Sequence, residues 1–381
     1  MENITENNTF QADNSETIVN ERAKEPLRSV NIKTQFDIFD TALACILFIV
    51  FNVLFSLALK YLNIKVERGS FGLFFLQALV EIVFAVAAAV VVITRKRNLI
   101  LDTGMKNKVS GKLVALCLCV SVVSLACFGQ LTNVFVEFLY LCGYKSILGD
   151  IQIATLAQYI GYAISSCAIA AFCEELLFRG VILSGLRKFG MRIAVIISAL
   201  IFMLMHGNAE QTVHQFIIGL VVGYAFFATG NLWIGFFIHA FNNLIPITEV
   251  YLISLFPSSA SDAAASGTTI GFGTVLIQLI FALLFAWAGL YFIKLLMKVI
   301  IKENTKLNGT KGENKAVIEI VIDGTEQNVE ISIDGEPATN ENTEKKCEKP
   351  KISAATITMF SLAGLYLVVE WILALVSGFL I

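Results

Sequence analysis

Cys173-Glu174-Glu175-Leu176-Leu177-Phe178-Arg179-Gly180 puts two adjacent carboxylates and a guanidinium inside a run that otherwise reads as membrane helix. An ionisable residue in hydrocarbon costs roughly 2.5–3.5 kcal/mol on insertion scales. Residues of this kind face a bundle interior or a wet cavity, where they bind each other, carry ions or do chemistry. The rest of the chain decides among these roles.

Outward from this stretch, apolar runs of spanning length recur, each needing ~20 residues at 1.5 Å per residue. They predict helices near 38–62, 71–94, 112–142, 154–186, 190–206, 211–229, 232–256, 269–300 and 353–381. The expected fold is an all-α, polytopic membrane bundle of about nine helices, an eight-helix core plus a C-terminal helix. The fourth run is ~50 Å long as a straight helix, so it must tilt, break or begin in the interface.

Composition agrees with a membrane class. The chain has 381 residues, 56% hydrophobic and only 15% charged. A net charge of −2 leaves no surplus of Lys and Arg to neutralise phosphates, which argues against a nucleic-acid partner. Eight cysteines occur, at 45, 117, 119, 127, 142, 167, 173 and 347, with no C-x-x-C pair. Seven lie in or beside apolar runs, where free Cys behaves as a small hydrophobe, so neither a disulfide framework nor a structural zinc site is expected.

Four regions follow. Residues 1–35, polar and without an apolar core that would read as a signal peptide, form an expected disordered cytoplasmic tail. Residues 36–301 form the transmembrane core, 302–352 a polar cytoplasmic insert, and 353–381 the last helix. In the insert, Val317–Gly324 and Val329–Gly335 are β-patterned runs ending in Asp-Gly, the signal of a small hairpin. Lys and Arg concentrate in the tail, at Arg95, Lys96 and Arg97, at Arg187, Lys188 and Arg192, and in the insert. By the positive-inside rule the N-terminus is expected to be cytoplasmic, and the expected location is the cell membrane.

Within the core, Glu175 and Arg179 stand four apart with the acid first, the favourable order for a helical ion pair. Glu174 points about 100° away and is left to face something else. Two of the three histidines fall on other helices, His206 after Phe202 and His239 four residues before Asn243. From the expected inner helix ends, Glu174 lies ~20 Å deep, His206 ~24 Å, His239 ~12 Å and Asn243 ~18 Å, so all four reach comparable levels. Glu81, Glu137, Glu249 and Glu370 also sit in or near apolar runs, and His214 reads as an interfacial residue.

A carboxylate, two imidazoles and a carboxamide suffice to hydrolyse an amide. Glu174 takes a proton from water, a histidine orients that water or protonates the leaving amine, and His239 with Asn243 donates to the oxyanion. Glu174-Glu175-x-x-x-Arg179, Phe202-x-x-x-His206 and His239-x-x-x-Asn243, in that order on successive hydrophobic segments, resemble the three-motif signature of the CAAX protease and bacteriocin-processing (Abi) family. That family includes the type II CAAX prenyl endopeptidases. The resemblance covers about residues 154–256 and implies a glutamate-dependent, metal-independent intramembrane endopeptidase acting on a membrane-associated peptide. Glu174 matches the water-activating base, His206 the histidine beside it, His239 and Asn243 the oxyanion stabilisers, and Glu175 and Arg179 more structural positions. No cofactor is implied; zinc held by Glu and His is the alternative, although no H-E-x-x-H helix is present. The rival functions are a non-enzymatic immunity or scaffold protein of the same fold and a proton-coupled transporter.

Overall fold

Each long helix begins where a short polar side chain meets an apolar run. In α1 (Ile38–Tyr61) Asp37 accepts from Phe39 N and Asp40 N, and Asp40 returns the bond in a capping box. Ser70 caps α2 (Phe71–Thr94) through Leu73 N, and Ser110 caps α3 (Gly111–Leu141) through Leu113 N. These side chains satisfy amides that the first helical turn leaves open. A broken helix follows, then α4 (Met191–Met205), α5 (Thr212–Thr229), α6 (Leu232–Leu255), α7 (Phe272–Asn308) and α8 (Ala354–Leu380). At Gly230, φ +60° ends α5 and frees the chain to turn, and Asn231 caps α6 by accepting from Trp233 N.

This computed structural model describes residues 36–67, 69–146, 152–256, 271–309 and 352–380, together with the backbone of three short strands. Among the described residues, α1, α2, α3, α5, α6, α7 and α8 are the seven helices long and apolar enough to cross a membrane. Large apolar side chains such as Phe281, Leu284 and Trp287 stand exposed along α7, as a lipid-facing surface requires. The chain is an all-α integral membrane bundle. The other two expected spans take different forms. The run at 154–186 is the broken helix, and the run at 190–206 is the 15-residue α4.

The helices pack in a pattern that places the broken helix at the centre. It touches α1, α2, α4 and α6, while α3 lies along α7 and α6. α8 lies against α1 and also meets α4. The main core runs continuously through Phe84, Leu177, Phe178, Phe202, Phe226 and Ile238. Close approach depends on small residues, as is usual between membrane helices. A Cβ on Gly161 would strike the Phe74 ring, and one on Gly289 would strike Cys127.

At the expected cytoplasmic end, the basic cluster is not simply solvated. Arg97 Nη2 lies 2.8 Å from both Asp37 Oδ2 and Asp40 Oδ2, and Arg95 Nε lies 2.8 Å from Asp40 Oδ1. The acidic start of α1 is thereby tied to the basic end of α2.

Residues 316–346 carry the described strands of a separate unit. Within it, Ala316–Ile322 pairs antiparallel with Thr325–Ile331, and Lys345–Lys346 pairs with the second strand. The expected disordered tail at 1–35 and the Asp323-Gly324 turn lie outside the described residues.

Candidate active site

The broken helix carries the central motif in an unusual backbone. Leu156–Tyr162 is α-helical, Ala163–Ile169 is π-helical, and Ala170–Glu175 returns to α. Leu176–Leu183 is again π-helical before short α and 3₁₀ turns run to Phe189. π stretches are rare and concentrate at functional sites. Here side chains supply donors to carbonyls in or beside them. Ser165 Oγ donates to Gly161 O, Ser184 Oγ to Arg179 O, Thr41 Oγ1 to Ile182 O, and Asn243 Nδ2 to Ser166 O.

The α-helical link between the two π stretches ends in Glu174 and Glu175, both buried. Glu175 Oε1 lies 2.7 Å from Arg179 Nη1, with both side chains at most 1% exposed. This contact is ionic rather than a well-aimed hydrogen bond, since Nη1 has no acceptor in line. Arg179 also donates through Nη2 to Gly219 O at 3.4 Å and lies 4.9 Å over the Phe202 ring. The same Glu175 oxygen accepts from His239 Nδ1 at 3.0 Å. Gly235, one turn before His239 on α6, makes room for this carboxylate, because a Cβ there would stand 2.7 Å from Glu175 Oε2.

The His239 imidazole therefore bridges the two adjacent acids. Its Nδ1 is fixed by Glu175, and its Nε2 lies 3.8 Å from Glu174 Oε2. His206 approaches the same oxygen from the end of α4, with Nε2 at 3.9 Å. His206 Nδ1 donates to Phe202 O at 2.7 Å, which leaves Nε2 as the free nitrogen of the neutral ring. Phe202 forms the floor beneath both rings, with centroids 4.7 Å from His206 and 5.6 Å from His239. Distances of 3.8–3.9 Å are too long for direct hydrogen bonds and suit one oxygen atom between the groups.

The structure thus brings Glu174, Glu175, Arg179, His206 and His239 together. Asn243 stands one turn further along α6 and donates to Ser166 O at 3.2 Å, on the broken helix. Its neighbour Asn242, 1% exposed, donates to His214 Nε2 at 2.9 Å. His214 and Asn242 share a small cleft with Ser124, Phe128 and Thr132. His214 is accordingly a partner of α6 rather than an isolated interfacial side chain.

One residue beside the site was visible in the sequence only as an acid in an apolar run. Glu81 on α2 faces the Glu174 carboxyl. Gln77, one turn earlier on the same face, accepts from Ser166 Oγ and also lies 3.2 Å from Ser165 Oγ. The i, i+4 spacing of Gln77 and Glu81 was the available signal, but it required knowing which helix α2 would face. Among the described residues no group of three or more His, Cys, Asp or Glu is arranged to hold a metal ion.

Comparison with known proteins bears on this region. No curated protein matches the chain. Residues 156–245, from the start of the broken helix to just beyond Asn243, match the model of a family described as type II CAAX prenyl endopeptidase Rce1-like. The match agrees with the resemblance carried by the three motifs, all of which lie within the matched residues.

Proposed function

We propose that the protein is a CAAX-protease-like intramembrane endopeptidase that hydrolyses a membrane-associated peptide with water activated by Glu174. The observation that carries this reading is the convergence of Glu174 Oε2 with His206 Nε2 and His239 Nε2, at 3.9 and 3.8 Å, inside an apolar bundle. A water oxygen between them gives its proton to Glu174 while its lone pair attacks the scissile carbonyl. His206, its tautomer set by the Phe202 carbonyl, orients that water. His239, fixed by the Glu175–Arg179 pair, stabilises the oxyanion when its Nε2 carries a proton. Asn243 holds α6 to the broken helix through one amide hydrogen and is a second candidate donor through the other. Protonated Glu174 then delivers its proton to the leaving amine.

In this reading the reaction needs no metal, the substrate is a peptide presented from the lipid bilayer, and no nucleic acid takes part. The protein sits in the cell membrane with its N-terminus cytoplasmic. The test uses an internally quenched, prenylated CAAX peptide in detergent micelles with a metal chelator present. Glu174→Gln keeps the shape of the side chain and removes the base, so cleavage should fall by at least about 100-fold, the scale of a lost general base. Full cleavage by this variant, or loss of wild-type cleavage on chelation, would overturn the reading.

A further inference from the structure

The register of α2 against the broken helix brings a third acid to the site. The two elements meet at four successive levels. Phe74 packs on Gly161, Gln77 accepts from Ser166 and lies beside Ser165, Glu81 meets Glu174, and Phe84 packs on Phe178 at 5.9 Å. Glu81 is therefore aimed at Glu174 by packing above and below it. Glu81 Oε2 and Glu174 Oε2 are both buried, and neither has a hydrogen-bond partner. Two ionised carboxylates offer only acceptors to each other and repel, whereas a single proton between them supplies the missing donor.

We infer that Glu81 is a positioning residue for Glu174, and that the two carboxyl groups share one proton in the resting protein. This rests on the reading of Glu174 as the base. The shared proton ties Glu174 to α2 and fixes its carboxylate for the approach to His206 and His239. The proton balance closes over one turnover. The pair holds one proton at rest, and takes a second from water as the new O–C bond forms. It returns one to the amine nitrogen as the C–N bond breaks. The groups facing the pair are Cys173, Glu175 and Arg179 on the broken helix, His206 on α4 and His239 on α6, with His214 on α5 beside the two imidazoles.

Two variants of the full chain test this, Glu81→Gln and Glu81→Leu, each confirmed as folded by thermal melting in detergent. Gln keeps a neutral donor at every pH. It should retain kcat within about threefold, while the alkaline limb of its kcat/KM profile moves upward by about one pH unit or more. Leu removes the donor and should lower kcat at least tenfold with KM within twofold. A readout independent of cleavage is the infrared C=O stretch of a protonated carboxyl group, present at neutral pH in the wild type and absent in Glu81→Gln. The inference is overturned by the lack of that band in the wild type. It is equally overturned if Glu81→Gln is as slow as Glu81→Leu, or if neither variant departs from the wild-type profile. Should Glu174→Gln still cleave while the band behaves as stated, the reading of Glu174 as the base fails and the shared proton stands.

Discussion

Arg179 shows how much of the site depends on charges that never meet water. Its side chain is 1% exposed, it neutralises Glu175 at 2.7 Å, and it stacks over Phe202. Glu175 in turn holds His239, so the guanidinium supports an imidazole it does not touch. The i, i+4 spacing made the pair with Glu175 readable from the chain, because helical neighbours of opposite charge meet whatever surrounds them. The link to His239 was not readable, since it spans 64 residues and depends on how α6 seats against the broken helix. Removing one partner of a buried ion pair leaves an uncompensated charge and costs about 3–5 kcal/mol. Arg179→Met, which keeps much of the stem's bulk, should therefore lower the melting temperature in detergent markedly and abolish cleavage. A variant that melts with the wild type would show that Glu175 does not need this partner.

At the scale of elements, the long apolar helices were legible because hydrocarbon imposes a length and a composition. The π stretches were not. Ala163–Ile169 holds neither Gly nor Pro, and a change of hydrogen-bond register leaves no signature in residue type. What sustains it is tertiary: Asn243 of α6 donates to Ser166 O, and Ser166 donates to Gln77 of α2, which also lies 3.2 Å from Ser165 Oγ. Asn243 was read from its spacing as a partner for His239 at a reacting centre. The structure shows that its amide has a backbone carbonyl to satisfy, a contact that spacing along one helix does not reveal. Gly161 sets the distance between α2 and this segment, since a Cβ there would enter the Phe74 ring. Overpacking of such a contact typically costs 1–3 kcal/mol. Gly161→Val should therefore destabilise the protein by about that much in a thermal melt. It should also slow cleavage, because α2 carries Glu81 on the same face. Wild-type stability and rate in this variant would mean that α2 is free to shift without consequence.

Across the whole molecule, α8 is held to the bundle at places away from the Glu174 centre. Trp371 Nε1 donates to Thr212 Oγ1 at 2.9 Å, and Gly378 O accepts from Lys145 N at 2.8 Å. Gly378 lies directly against the Tyr144 ring, which also meets Phe379 edge-on at 5.5 Å. Tyr144 stacks beside Tyr140, whose hydroxyl donates to Glu210 Oε1 at 2.6 Å, and Ser146 Oγ donates to the other oxygen of Glu210. A mechanical path thus runs from α8 to the segment that follows His206. Two features argue that it stops there. His206 is tied by Nδ1 to the Phe202 carbonyl of its own helix, and Gly207, at φ +56°, turns the chain before Glu210 is reached. Lipid also replaces lost helix contacts with apolar ones, so loosening α8 exposes no surface that hydrocarbon cannot cover. Gly378→Leu, which drives a side chain into Tyr144, should therefore lower thermal stability in detergent while leaving kcat within about threefold of the wild type at temperatures where the variant remains folded. Loss of cleavage in a folded Gly378→Leu protein would show instead that the C-terminal helix governs His206 through Tyr140 and Glu210.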